Sequence, residues 1–173
     1  MTVMNSVGLL RIQVRRGINL AVRDHVSHTS DPYVVISHAG QKVRTSVVPK
    51  NCQPVWNENL TLPLKDPNVP ITLRVFDKDT FTEDDEMGDA DVNIKPFLEC
   101  LKMGLRELPD GTKVDRVQPA KNNCLSKESA IIWNRGKMAQ QMYLKLRNVE
   151  CGEIEIQIEW LDFPGLKSPV EFY

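Results

Sequence analysis

The stretch Ile71-Thr72-Leu73-Arg74-Val75-Phe76-Asp77-Lys78-Asp79-Thr80-Phe81-Thr82-Glu83-Asp84-Asp85-Glu86 decides how the rest of the chain is read. In its first half the apolar Ile71, Leu73 and Val75 alternate with Thr72 and Arg74, the period of a strand with one buried and one wet face. Its second half packs five carboxylates into the nine residues from Asp77 to Asp85. A strand therefore leaves the core and becomes an acidic loop at the edge of a sheet. Like charges this close repel one another, and hard cations such as calcium take oxygen ligands, so a calcium site is one reading. An ordinary solvated acidic turn is the other. The spacing of Asp77, Asp79 and Asp85 is not that of an EF-hand loop, which needs a glycine at its sixth position and a glutamate at its twelfth.

The alternation recurs on both sides of this stretch. Leu10, Ile12 and Val14 face one way against Arg11, Gln13 and Arg15. Tyr33 to Ser37 and Gln41 to Val47 flank His38-Ala39-Gly40, a hairpin connection, and the second run sets Lys42 and Arg44 on one face. Further inward sets are Leu60, Leu62 and Leu64, then Ala90, Val92 and Ile94, then Met142, Leu144 and Leu146. The last is Ile154, Ile156, Ile158 and Trp160 against Glu153, Glu155, Gln157 and Glu159. About eight strands follow, an all-β antiparallel sandwich. From Pro96 the pattern changes. Pro96 to Met103 has helical spacing and Pro109-Asp110-Gly111 is a turn. The rest of the stretch to Lys137 reads as irregular and polar, with Ile131-Ile132-Trp133 as its apolar element. Residues 1–173 thus read as one domain carrying an irregular, partly helical insertion at 96–137, before the last two strands.

A second acidic pair, Asp24 and Asp31, brackets the polar run from His25 to Ser30 between two strands. Two loops that both begin where a strand ends can meet at one end of a sandwich and pool their carboxylates. Val26 and Phe81 fall at the tips of these loops, placed to enter a lipid headgroup region, unless Phe81 folds back over its own loop.

Composition narrows the function. A net charge of −1, with 41% hydrophobic and 26% charged residues, gives no global attraction to nucleic acid or anionic lipid, so such attraction must come from a local patch. No apolar run approaches the roughly 20 residues needed to span a bilayer. The start of the chain lacks signal-peptide features, Met1-Thr2-Val3 has no glycine for myristoylation, and Glu171-Phe172-Tyr173 is no prenylation box, so a cytosolic protein is expected. Cys52, Cys100, Cys124 and Cys151 form no C-x-x-C pair and are read as reduced. His25, His28 and His38 are read as surface residues, and Trp56 as structural. No phosphate loop or nucleophile motif is present, which points away from an enzyme.

Arg23-Asp24, Ser30-Asp31-Pro32-Tyr33-Val34-Val35, Pro54-Val55-Trp56-Asn57-Glu58 and Val75-Phe76-Asp77-Lys78-Asp79 resemble, in order, the signature stretches of a C2 domain. Other stretches resemble more closely the plant C2-domain ABA-related proteins, a group that includes C2 GTPase-activating relatives. They are Gly8 to Ile12, Val14 to Asp24, Met87-Gly88-Asp89-Ala90, Asn123 to Ser129 and Leu146 to Glu155. The resemblance implies a C2 sandwich and calcium as cofactor. Its ligands would be the carboxylates of Asp24, Asp31, Asp77, Asp79 and Asp85, with the backbone carbonyls of Arg23 and Lys78. Six residues separate Asp24 from Asp31, more than in the family's pattern, which bears on the geometry of the first loop. Glu83, Asp84 and Glu86 are read as solvated charges, Asp84 replacing Asp85 only if the loop slips. Lys42 and Arg44, with Lys50 and Arg74, resemble the basic strand face that meets phosphoinositides, the alternative being a solvated strand. The family further implies docking on anionic phospholipid and transient recruitment of abscisic acid receptors to the plasma membrane. The alternative is activation of an Obg-like P-loop ATPase, with Arg116 or Arg135 as a candidate arginine finger. Expected locations are the cytoplasmic face of the plasma membrane, the cytosol and the nucleus. The insertion is expected to carry partner specificity.

Overall fold

Alternating runs and turns assemble into ten strands and one helix in the computed structural model, which describes residues 8–161. The terminal stretches read for lipidation, Met1-Thr2-Val3 and Glu171-Phe172-Tyr173, lie outside the described residues. In chain order the elements are β1 (Gly8–Ile18), β2 (Pro32–His38), β3 (Gln41–Arg44), β4 (Val55–Leu64), β5 (Ile71–Asp77), β6 (Asp85–Val92), α1 (Lys95–Lys102), β7 (Thr112–Val117), β8 (Ser129–Asn134), β9 (Lys137–Lys145) and β10 (Glu153–Leu161). One sheet has six strands in the order β4-β1-β10-β9-β8-β7, the other four in the order β3-β2-β5-β6. All their pairings are antiparallel.

The two sheets close on one core. Leu10, Ile12 and Val14 of β1 and Ile154, Ile156 and Ile158 of β10 belong to the same buried cluster as Val34, Ile36, Leu73 and Val75 of the smaller sheet. Each such side chain contributes about 1.5–3 kcal/mol relative to exposure, so the alternation alone sets which face of every strand turns inward. The β2–β3 connection adopts positive φ at Ala39 (47°) and Gly40 (82°), the pair that a two-residue hairpin matched to strand twist requires.

The insertion is more regular than its composition suggests. The expected helix forms as α1, with proline in its first turn, and buries Phe97, Leu98 and Cys100. The rest is not an irregular appendage: β7 and β8 extend the six-stranded sheet, raising the strand count from about eight to ten. In β8, Ser129, Ile131 and Trp133 are buried. Among the described residues β7 is an edge of this sheet, with Lys113, Asp115 and Arg116 exposed, the charged surface that keeps an edge from pairing with other chains. The strand expected over Gln41 to Val47 ends at Arg44.

Two polar side chains expected on the surface are inside. His38 is 1% exposed: its Nε2 accepts from the Lys65 amide at 3.1 Å, and its Nδ1–H therefore donates to the Pro70 carbonyl at 3.4 Å. Glu155 is covered by Arg16 (2.8 Å), Arg15 (3.3 Å) and Gln141 (2.9 Å). Trp56 is buried and donates to the Ser46 carbonyl at 2.9 Å, the structural role expected of it. All four cysteines are free thiols. Among the described residues no helix is long and apolar enough to cross a membrane.

The sheets are locked together beside the acidic loops. Asp89 of β6 and Arg147, just past β9, exchange backbone hydrogen bonds of 3.1 and 2.8 Å. The Arg147 guanidinium reaches Asp89 (2.8 Å) and Asp91 (3.2 Å), and Asn148 donates to Asp89 at 2.8 Å. Gly88 stands at φ +104°, and a Cβ there would lie 2.6 Å from Val149 Cγ1. Only glycine lets β6 approach the β9–β10 loop this closely.

Candidate metal centre and exposed loop tips

Asp77 ends β5 and Asp85 begins β6, and the two face each other in the strand register. Asp79 stands in the loop between them. Among the described residues these three alone form a group in which each offers a metal-ligating oxygen within 4.8 Å of the others. Asp31, just before β2, is tied to the group through its backbone. Its amide donates to Asp77 Oδ1 at 2.7 Å and its carbonyl accepts from the Lys78 amide at 2.9 Å. The Asp31 carboxylate accepts from the Lys50 amide at 2.6 Å.

The cluster is electrostatically strained. Burial pushes the Asp77 carboxyl above the ordinary aspartate range, and the charges of Asp31, Asp79 and Asp85 push the same way, against the pull of the Asp31 amide. Hard oxygens crowded at the mouth of a sandwich form a donor set that suits calcium and does not suit softer metals. On that chemistry the residues fit the ion.

Asp24 is arranged differently. Its Oδ1 accepts from the amides of Val26 (2.9 Å) and Ser27 (3.3 Å), and its Oδ2 from the Ser27 hydroxyl at 2.7 Å. The Ser27 hydroxyl and amide and the Val26 amide hold its carboxyl below the usual range. Asp24 thus caps its own longer loop, closed by an Asp24–Thr29 bridge, and is not in the group of three. Arg23 donates from its guanidinium to Glu150 at 2.6 Å and to the Glu86 carbonyl at 3.4 Å. This ties the first loop to the β9–β10 loop and to β6.

Asp84 is no solvated charge. It accepts a hydrogen bond from the Tyr33 hydroxyl, another from the Asp79 amide at 2.9 Å, and lies 3.7 Å from Lys78 Nζ. These contacts, led by the Tyr33 hydroxyl, hold its carboxyl low. Burial and the same contact push the Tyr33 hydroxyl up to about 12.

The loop tips point outward. Val26 is 93% and Phe81 96% exposed, so Phe81 does not fold back over its loop. On the outer face of the smaller sheet, Lys42 and Arg44 are both exposed on β3. Val35 of β2 pairs with Arg44 on one side and Arg74 on the other, which sets two guanidinium groups in one cross-strand row. The Arg44 guanidinium lies 4.5 Å from the centroid of the Tyr33 ring, which itself stacks on Phe76 at 5.5 Å.

This fold, with an acidic cluster and apolar tips at one end of an antiparallel sandwich, is that of a C2 domain, and the C2 domain family model matches residues 8–108. A single C2 domain of plant Extended Synaptotagmin 1 superposes with a TM-score of 0.61 at 21% identity, over 91% of this chain and 97% of that one. A calcium-bound pair of C2 domains from Extended-Synaptotagmin 2 also gives 0.61 at 19% identity, over 90% of this chain and 46% of that one. The relationship is closer in sequence: Protein C2-DOMAIN ABA-RELATED 10 of Arabidopsis thaliana is 58% identical over 164 residues, 94% of this chain and 90% of that protein. The chain belongs to the C2-domain ABA-related family, as the stretches quoted above imply.

Sequence reasoning missed the contacts that organise the loops: Tyr33 with Asp84, Arg23 with Glu150, and Arg147 with Asp89. Leu146 to Glu155 is one of the family stretches, and that is the available signal for the last two.

Proposed function

We propose that the chain is a non-catalytic, calcium-dependent phospholipid-binding module that brings abscisic acid receptors to the cytoplasmic face of the plasma membrane. The observation that carries this reading is the convergence of Asp77, Asp79 and Asp85 within 4.8 Å, beside the two exposed apolar tips. Asp77, Asp79 and Asp85 would hold calcium, with Asp31 alongside. Bound there, the ion supplies positive charge that offsets the carboxylates facing an anionic bilayer. The chain's own residues do the rest: Val26 and Phe81 enter the headgroup layer, and Lys42, Arg44 and Arg74 meet acidic lipid, each basic group near the surface worth about 1 kcal/mol.

The names of the relatives support a place in abscisic acid signalling. The receptor contact falls on α1, β7 and β8, whose exposed edge strand leaves the loop end to the lipid. The test is sedimentation with phosphatidylserine vesicles, in calcium and in chelator, with an abscisic acid receptor added. Binding in calcium alone, with the receptor carried down, is expected; equal binding in chelator removes the mechanism.

A further inference from the structure

One carboxylate of the acidic loop has no part in the metal group and is nevertheless fixed in place. Asp84 has a side chain only 17% exposed, held by the Tyr33 hydroxyl, the Asp79 amide and Lys78. Tyr33 is itself 6% exposed and stacked on Phe76, so it offers a rigid post and not a mobile donor. The same Tyr33 ring carries the Arg44 guanidinium above it. The charge of Arg44 is felt at Asp84 as an attraction that favours the carboxylate, and it is felt at the Tyr33 hydroxyl as well. A fixed anion therefore stands beside the basic face formed by Lys42, Arg44 and Arg74.

We propose that Asp84 is an intramolecular stand-in for a lipid phosphate at the Arg44 face, and so a specificity-determining residue. It weakens phosphoinositide capture by this face, so that membrane docking depends chiefly on the calcium loops, with the basic face as a lesser contributor. This role rests on the membrane-docking reading above. A phosphate that approaches Arg44 over the Tyr33 ring must accept the repulsion of a carboxylate that the Tyr33 hydroxyl prevents from swinging aside. Asparagine at the same position removes the charge, keeps an oxygen acceptor for the Asp79 amide and turns an NH2 toward the Tyr33 hydroxyl, whose oxygen can accept from it. One fixed negative charge cancels about what one basic residue contributes near an anionic surface, roughly a fivefold change in vesicle affinity.

The probe is a phosphatidylcholine vesicle containing phosphatidylinositol 4,5-bisphosphate and no phosphatidylserine, in chelator throughout. Wild type, Asp84→Asn, Arg44→Gln and the double variant are compared as a cycle, with thermal melts of each. Asp84→Asn is expected to bind about fivefold tighter than wild type, and Arg44→Gln to erase that gain. No gain, or a gain that persists without Arg44, overturns the proposal. If Asp84→Asn loses stability, the cycle still decides, because only the proposal makes the effect of Arg44→Gln larger without Asp84 than with it. A separate arm, wild type on phosphatidylserine vesicles with calcium, reports on the docking reading alone.

Discussion

Asp77→Asn should stabilise the protein in chelator while removing its response to calcium. Asp77 is 6% exposed and shares a 4.8 Å group with Asp79 and Asp85. Two unit charges at about that separation repel by roughly 1 kcal/mol in water and 3.5 kcal/mol at an effective dielectric constant of 20. Asp79 is half-buried and Asp85 exposed, so the lower figure applies to each pair and the relief totals about 2 kcal/mol. Asparagine keeps an acceptor for the Asp31 amide, now at 2.7 Å, so no hydrogen bond is lost to offset the gain. For a chain of this size the melting temperature should rise by about 4–8 °C in chelator. In calcium at a hundred times its Kd, wild type gains about 2.7 kcal/mol that the variant does not, and the order of the two melts closes or reverses. Differential scanning fluorimetry in both buffers reads this directly. A variant that melts below wild type in chelator, or gains as much as wild type from calcium, refutes the account of the cluster.

Gly88→Ala combines a strained positive φ with a Cβ 2.6 Å from Val149; it should cost about 2–5 kcal/mol in urea unfolding, and a wild-type midpoint would contradict the close approach of β6 to the β9–β10 loop. Burial pushes the Glu155 carboxyl up, but hydrogen bonds from Arg16, Gln141 and Arg15 outweigh it and leave it below the usual glutamate range. Its folded form therefore binds the proton less tightly than the unfolded chain, so it contributes stability above the ordinary glutamate value that is lost as pH falls through the lowered one. Glu155→Gln should cost about 1–3 kcal/mol at neutral pH and flatten the acid limb of the melting curve; an unchanged acid limb would refute the network. Val26→Ser with Phe81→Ser should weaken calcium-dependent vesicle binding by about tenfold or more, from the loss of two apolar side chains, and leave calcium titration unchanged. Vesicle binding equal to wild type would show that the tips stay out of the lipid. Deleting 96–137 should unfold the protein, as circular dichroism would show, because it removes Phe97, Leu98, Ile131 and Trp133 from the core. Receptor binding is therefore better probed with Lys113→Glu and Arg116→Glu on the exposed edge.

Where one residue in two is apolar, as in β1, β5 and β10, the fold was legible, because burial follows the pleat and little else competes with it. β7 escaped because an edge strand protects itself with the charges of Lys113, Asp115 and Arg116, which read as loop. β8 escaped because Ser129 and Gln140 meet inside the sandwich: Gln140 donates to Ser129 at 2.9 Å, so polar residues sit where the pattern expects apolar ones. In the site, the grouping of Asp77 and Asp79 with Asp85 follows from a strand, a turn and the next strand. Asp84 was opaque for a different reason. It differs from its acidic neighbours only through Tyr33, 51 positions away, and no local pattern announces that partner. The same holds for Glu155, whose outward position is closed by Arg16 across a bulge in β1. The longer first loop was visible in the spacing, and the turn in which Asp24 binds Ser27 is its physical outcome.

Isothermal titration of calcium into the wild-type protein tests the central claim most directly. Saturable heat that disappears in an Asp77→Asn, Asp79→Asn variant of unchanged circular dichroism is the predicted result. A folded wild type that takes up no calcium would contradict the account and leave the acidic cluster as a solvated loop.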